Sequence, residues 1–425
     1  MKKHEYPLLG ETLYTDTLPN GLRLCVVPKP GFRSFFAAFA THYGGAHRRF
    51  RLEGRTLDTP AGVAHYLEHK MFDLPGGDNA LGILTANGAD PNAFTSAGMT
   101  CYYFQCSRGF EENLRMLLHF VSTPYFTEET VQKERGIIAQ EIRMGEDSPG
   151  NAVYYDLLKL LYDHHPIRDQ VAGTVESIAQ ITHETLYDCH RVFYAPSNMC
   201  LCVEGDLDPK TVRDTALKFL PREKAETPQA DFGAPEGPLP CAALSRRTME
   251  VSAPQFLIGA KVPPERNGEA ALRQRLTARL ALRLLLGSSS PFYTRLYTQG
   301  LLNRDYDYDV DFTAGTGTLI IGGESQAPER VLDALRAEVG RVSRDGFDEK
   351  AFQRARRASY GARLRGLEDF DSVCISLAEG VFNGFCALDA PVLLQEIGKA
   401  QCEAFVREFL ADERLAMAIV EAKKV

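Results

Sequence analysis

The sequence predicts an α+β fold built as two similar halves, and three observations predict it. Residues Pro221–Pro240 (PREKAETPQADFGAPEGPLP) are rich in Pro, Gly, Ala and charge, a composition that makes neither a core strand nor a long helix. This stretch separates residues 1–220 from residues 241–425, portions of similar length. Residues 110–135 and 331–356 then repeat each other at a constant offset of 221: Leu114 matches Leu335, Phe126 matches Phe347, Gln132 matches Gln353 and Arg135 matches Arg356. Finally, strand and helix patterns are mixed without regular β-α-β alternation.

Taken in order, 22–28 (LRLCVVP) and 35–43 (FFAAFATHY) read as strands. Thr59-Pro60 opens a helix through Phe72, with Thr59 as N-cap and Pro60 in the first helical position. Residues 99–106 (MTCYYFQC) are β-rich. Each repeated segment reads as an amphipathic helix, a turn ending in Phe, and a second helix capped by Thr127 or Asp348. The helix at 127–144 ends at Gly145 with Ser148-Pro149, and 199–204 (MCLCVE) is a strand before the turn at Gly205-Asp206.

Composition narrows the function. The chain has 425 residues, 44% hydrophobic and 24% charged, which suits a soluble globular protein with a large core. A net charge of −8 without a basic run gives no footprint for nucleic acid. No apolar window reaches the roughly 18 residues of a membrane span, and no apolar run follows Lys2-Lys3 as a secretory signal requires. Ten scattered cysteines without a C-x-x-C pair read as reduced and buried. These features imply a cytoplasmic protein that engages neither nucleic acid nor membrane.

The chemistry concentrates in Ala64-His65-Tyr66-Leu67-Glu68-His69. Helical positions four apart share a face, so His65 and His69 can direct two imidazoles at one Zn²⁺. Glu68 shares that face without needing to bind the metal. It can take a proton from a water whose pKa zinc lowers to about 7. H-x-x-E-H is the inverted form of the H-E-x-x-H motif. A catalytic zinc takes three protein ligands and keeps one open position. On the helix at 127–144, Glu134 and Glu141 lie almost two turns apart on one face. One could be the third ligand and the other its support; spacing does not say which. In the repeat they align with Ala355 and Ala362, and no histidine follows His190, so only the first half can carry this site.

At these residues the sequence resembles the pitrilysin/insulinase family of zinc peptidases, in its processing-peptidase-like branch. The resemblance runs through Asn20-Gly21-Leu22-Arg23, Gly62 to His69, Asn92-Ala93-Phe94-Thr95, Glu134-Arg135 and Gln140-Glu141-Ile142. It continues through Gly173-Thr174-Val175-Glu176-Ser177-Ile178 and Tyr194 to Met199, up to Gly205-Asp206. It implies that each half is a homologous domain with an antiparallel sheet packed by helices: a zinc-binding peptidase domain over 1–220, a linker over 221–240 and a metal-free domain over 241–425. It implies Zn²⁺ on His65, His69 and Glu141, Glu134 as supporting acid and Glu68 as base. Asn92 and Ala93 would receive a peptide substrate as an added strand.

Family members enclose a chamber with two such domain pairs, so the resemblance also implies a dimer. Active members carry an Arg and a Tyr in the second half, where this chain has Tyr297 and Asn303 in Leu296-Tyr297-Thr298-Gln299-Gly300-Leu301-Leu302-Asn303. Arg295, Arg304 and Tyr306 lie close by. Without substitutes, a heterodimer with a related zinc-less subunit is the simplest completion. The rival reading is a non-catalytic assembly subunit on the same fold. Glu68 argues against it, because a structural zinc needs no base and usually has four protein ligands.

Overall fold

A computed structural model of the chain describes residues 1–265 and 268–423. Its first half begins with strands β1 (Lys2–Tyr6), β2 (Glu11–Thr17), β3 (Arg23–Pro28) and β4 (Phe35–Thr41), then a hairpin of β5 (Arg49–Leu52) and β6 (Arg55–Asp58). Helices α1 (Val63–Lys70) and α2 (Ala80–Ala86) lead into β7 (Ala89–Thr95) and β8 (Thr100–Cys106). Helices α3 (Phe110–Ser122), α4 (Glu128–Glu146), α5 (Pro149–Leu161), α6 (Val175–Ile178) and α7 (His183–Phe193) precede β9 (Met199–Gly205) and α8 (Pro209–Phe219). The Pro-rich stretch contributes only the short β10 (Gln229–Ala230).

The second half comprises β11 (Leu244–Met249), β12 (Gln255–Lys261), α9 (Gly268–Leu286), α10 (Pro291–Thr298), β13 (Asp307–Thr313) and β14 (Thr316–Glu324). It ends with α11 (Pro328–Asp345), α12 (Glu349–Gly366), α13 (Phe370–Asn383), α14 (Ala390–Glu396), α15 (Lys399–Phe409) and β15 (Ala416–Ala422). The α+β prediction holds, and the halves share a topology. The largest sheet runs β1-β2-β3-β9-β4-β8-β7 and the five-stranded sheet β11-β15-β12-β14-β13, while β10 joins the β5-β6 hairpin in a small third sheet. Removing β1 and β2 leaves the same strand permutation. Neither of the two larger sheets is purely antiparallel: β3 pairs with β9, and β11 with β15, in parallel.

The linear halves are not the compact units. One unit is 1–142, 169–232 and 364–388; the other is 143–168, 233–363 and 389–425. These bounds differ from a division at residues 220 and 241. The physical reason is sheet coverage. Strands β4 and β9 are apolar along nearly their whole length because both faces are buried. One face, with Leu24, Phe39 and Leu201, packs on helices of its own half. The other, with Cys25, Phe36 and Cys202, packs on Phe370, Val373, Cys374 and Leu377 of α13, a helix from the second half. Reciprocally, α5 from the first half packs on β12 and β15.

The start of α1 also departs from expectation. Thr59 caps nothing; its hydroxyl donates to the Arg48 carbonyl at 3.0 Å. The helix begins at Val63 after Gly62, whose φ is 95°. A side chain there would meet the Ala172 carbonyl oxygen at 2.5 Å, so only glycine fits. Thr127 and Asp348 do cap their helices, accepting from the Thr130 and Ala351 amides at 3.2 and 2.7 Å. Ser148 and Pro149, expected to end α4, instead open α5 as its N-cap and first residue.

Glu204 on β9 is wholly buried, and neither carboxylate oxygen has a hydrogen bond among the described residues. Lys29 Nζ lies 3.2 Å away but is shared with Glu11 at 2.5 Å and the Leu367 carbonyl at 3.0 Å. Burial, only partly offset by Lys29, pushes the Glu204 carboxyl up to about 8. The folded chain therefore keeps a proton that the unfolded chain loses near pH 4.5, and stability falls as pH rises through 4.5 to 8. The slope is at most about 1.4 kcal/mol per pH unit. Glu204→Gln should flatten this dependence in urea titrations at pH 6 and pH 9. An unaltered pH profile would remove Glu204 as its origin.

Candidate metal centre

Helix α1 is held rigidly where it presents its polar face. Gly173 turns with φ 77°, and a side chain there would strike the Ala61 carbonyl at 2.6 Å. Ser177, half of a capping box with Thr174, donates to that same carbonyl at 2.8 Å. Tyr66, facing inward, donates its hydroxyl proton to the Val131 carbonyl and so ties α1 to α4. The buried Val131, Ile138 and Ile142 then fix the rotation of α4. With those three residues in the core, Glu134 and Glu141 are carried toward α1.

The side chains converge. His65 Nε2 is 3.4 Å from one oxygen of Glu141, and His69 Nε2 is 3.5 Å from the other. One donor atom from each of the three lies within 4.8 Å of the other two. Ligands at zinc distances sit roughly 3.3 Å apart in a tetrahedron, so this donor set fits Zn²⁺. Among the described residues no other His, Cys, Asp and Glu group comes together in this way.

Glu134 resolves the choice left open by spacing. Its Oε1 lies 2.9 Å from His69 Nδ1, placing it behind that imidazole and leaving Nε2 to face Glu141. Accepting from His69 holds the Glu134 carboxyl below its usual range. The hydrogen bond with His65 does the same for Glu141, against the opposing pull of burial. Burial lowers the basicity of His69, but Glu134, Glu141 and Glu68 together outweigh it and hold the imidazole above its ordinary value. His65 Nδ1 is buried and has no hydrogen-bond partner among the described residues.

Glu68 is not one of the three clustered donors: its Oε2 accepts from Thr95 Oγ1 at 2.6 Å. Thr95 also sits 3.2 Å from the Thr100 hydroxyl, which donates to the Tyr43 carbonyl at 2.8 Å. Sequence reasoning gave Thr95 no role. The available signal was its place two residues beyond Ala93, on the same face of one strand. That strand, β7, is an edge of its sheet. Asn92 lies in it rather than in a turn, and Asn92 Oδ1 accepts from the Ala93 amide at 2.8 Å.

Of the second-half candidates, Asn303, Arg295 and Tyr306 are paired or buried, and Tyr297 and Arg304 are exposed. Tyr297 is half-exposed. Asn303 donates to Asp305 and Glu324, each at 3.3 Å. Arg295 lies 3.9 Å from Glu338, and the Tyr306 hydroxyl is buried among Phe292, Tyr293 and Tyr308. Arg304 is exposed.

Two α+β units of one topology, with His-x-x-Glu-His on a helix facing two glutamates on another, form the layout of an inverted-motif metallopeptidase. Comparison with known proteins agrees. Residues 54–175 match the family described as insulinase (peptidase family M16), and residues 180–359 match the peptidase M16 inactive domain. The uncharacterized zinc protease YmfH of Bacillus subtilis is 34% identical over 429 residues, covering 100% of both chains. A putative M16-like peptidase from Alicyclobacillus acidocaldarius superposes with a TM-score of 0.93 at 32% identity, covering 99% of this chain and 100% of that one. A Helicobacter pylori protease with a TM-score of 0.82 and 18% identity, covering 96% of this chain and 99% of its own, shares the fold. This chain belongs to the insulinase family of peptidases.

Removing the support behind His69 should weaken the metal centre without abolishing it. Glu134→Ala is expected to lower zinc affinity by roughly 10- to 100-fold, measured by competition against a chromogenic chelator. Affinity equal to wild type would reduce Glu134 to a surface acid.

Proposed function

We propose that the chain is a zinc-dependent endopeptidase that cleaves extended peptides or unfolded segments. The observation that carries this reading is one carboxylate, Glu68, held by Thr95 beside three ligand-type side chains but outside their cluster. A bound Zn²⁺ would polarise the scissile carbonyl and acidify a water. His65, His69 and Glu141 would hold the ion, with Glu134 orienting His69. Glu68 takes the proton from the attacking water and returns it to the departing amine. Thr95 keeps the accepting carboxylate in place through that transfer. The free edge of β7 at Asn92 and Ala93 offers main-chain hydrogen bonds to an extended backbone, selecting for unfolded segments over any one sequence.

Positions 297 and 303 lack an Arg and a Tyr, and Arg295 and Tyr306 are engaged elsewhere in their own unit. We therefore include in the proposal a dimer, with a related zinc-less subunit completing the chamber and stabilising the oxyanion, in the cytoplasm. The test is cleavage of one unstructured peptide and the same sequence locked in a disulfide-closed helix, by the chain isolated with its native partners. Zinc-dependent cleavage of the open form alone is expected. Equal cleavage of both, or none with zinc loaded and partners present, would overturn the reading.

A further inference from the structure

The second half of the chain, in which no histidine occurs, carries a depression of 330 Å³ between α9, α12 and β13. Arg279 and Arg283 from α9, Arg363 and Ser359 from α12, and Tyr308 from β13 line it, over an apolar floor that includes Leu280. Three guanidiniums in so small a space call for counter-charge, and the acids on β13 that meet them are Asp309 and Asp311, both acting on Arg279, with Asp311 shared with Arg275. Arg279 Nε lies 3.6 Å from Asp309, but both are at least half-exposed and the pair is screened by solvent. Neither Arg283 nor Arg363 has an ion pair or hydrogen bond with a described residue. Burial and, less strongly, the repulsion of Arg279 together push the Arg363 guanidinium down to about 10. A partly desolvated cation facing other cations is unfavourable unless an anion joins it.

The place in the fold sharpens the point. Helix α9 packs on β13 and α15 as α1 packs on β7 and α7, in sheets of matching strand order. Arg279 and Arg283 stand four apart around buried Leu280-Ala281, as His65 and His69 do around buried Tyr66-Leu67. Glu141 of α4 corresponds in the repeat to Ala362 of α12, the neighbour of Arg363. The position that gathers two imidazoles and a carboxylate in one unit gathers three guanidiniums in the other.

We infer that this depression binds an oxyanion carrying two or more negative charges, a phosphate or polycarboxylate group on a small, partly apolar molecule. Guanidinium forks match the paired oxygens of either group. The Tyr308 and Ser359 hydroxyls add neutral donors, and Leu280 offers apolar contact. The site does not depend on the peptidase reading, and it would exist in a chain that cleaves nothing.

Phenylglyoxal labelling of the full chain, mapped by mass spectrometry, tests this without altering the protein. With ionic strength balanced by chloride, inorganic phosphate or citrate should protect Arg283 and Arg363 several-fold relative to Arg354, an exposed arginine on the same helix. Protection by phosphate alone assigns a phosphate ligand, and by citrate alone a carboxylate. Calorimetric titration with the protecting anion should show one site, weakened roughly tenfold or more in Arg363→Met, the loss expected for a charged hydrogen bond. Arg363→Met should remain folded, because it removes charge repulsion. Equal labelling of all three arginines with and without either anion, or undiminished binding in Arg283→Gln/Arg363→Met, would overturn the inference.

Discussion

Replacing Glu68 by Gln is expected to leave zinc content at the wild-type level and to lower kcat by about a thousandfold, the range of a lost general base. The substitution keeps the size of the side chain, and its amide oxygen can still accept from the Thr95 hydroxyl, now 2.6 Å from Glu68 Oε2. What disappears is the capacity to take a proton. KM should therefore change little, since in the proposed reading an extended backbone binds along β7 rather than on Glu68. The measurement pairs elemental analysis with peptide turnover in the same preparation. Turnover within a few-fold of wild type, with zinc retained, would take Glu68 out of the reaction. A preparation without zinc would show instead that Glu68 contributes to holding the ion.

The second large effect is on the ion itself. His65→Ala or Glu141→Ala removes one of three donors that lie within 4.8 Å of one another. Two remaining protein ligands hold zinc weakly, so purified variants should contain well under half an equivalent and show no turnover. The fold should survive. Tyr66 and Leu67 anchor α1 from its opposite face, and Ile138 and Ile142 anchor α4. The far-ultraviolet circular dichroism spectrum should match wild type. Full zinc occupancy in both variants would mean that the ion sits elsewhere. Loss of structure with the metal would mean that the centre holds the unit together, as a structural zinc does.

Much of this site was legible from spacing alone. Helical geometry sets His65 and His69 on one face with Glu68 beside them, and it sets Glu134 and Glu141 on one face of the next helix. The caps Thr127 and Asp348 and the strands at 22–28, 35–43 and 99–106 were legible for the same local reasons. Where local reasoning failed, a distant contact was deciding. Thr59-Pro60 is a sound helix opening, but Gly62 takes a left-handed turn against the Ala172 carbonyl, so α1 starts later. Ser148-Pro149 fits a helix end or a helix start equally well, and α5 follows it.

The sequence by itself therefore determined which side chains share a helix face, where most elements lie, and that the halves repeat one another. Only the tertiary structure decided that Glu134 stands behind His69 while Glu141 faces both imidazoles, and that Thr95 restrains Glu68. It alone revealed that α5 and α13 are exchanged between halves, and that Arg279, Arg283 and Arg363 share one depression. Periodicity is a property of a few neighbouring residues, whereas these pairings depend on apolar faces finding each other across the chain. Because hydrophobic burial is non-directional, any apolar helix of suitable length could cover either sheet, and only the packed whole selects one.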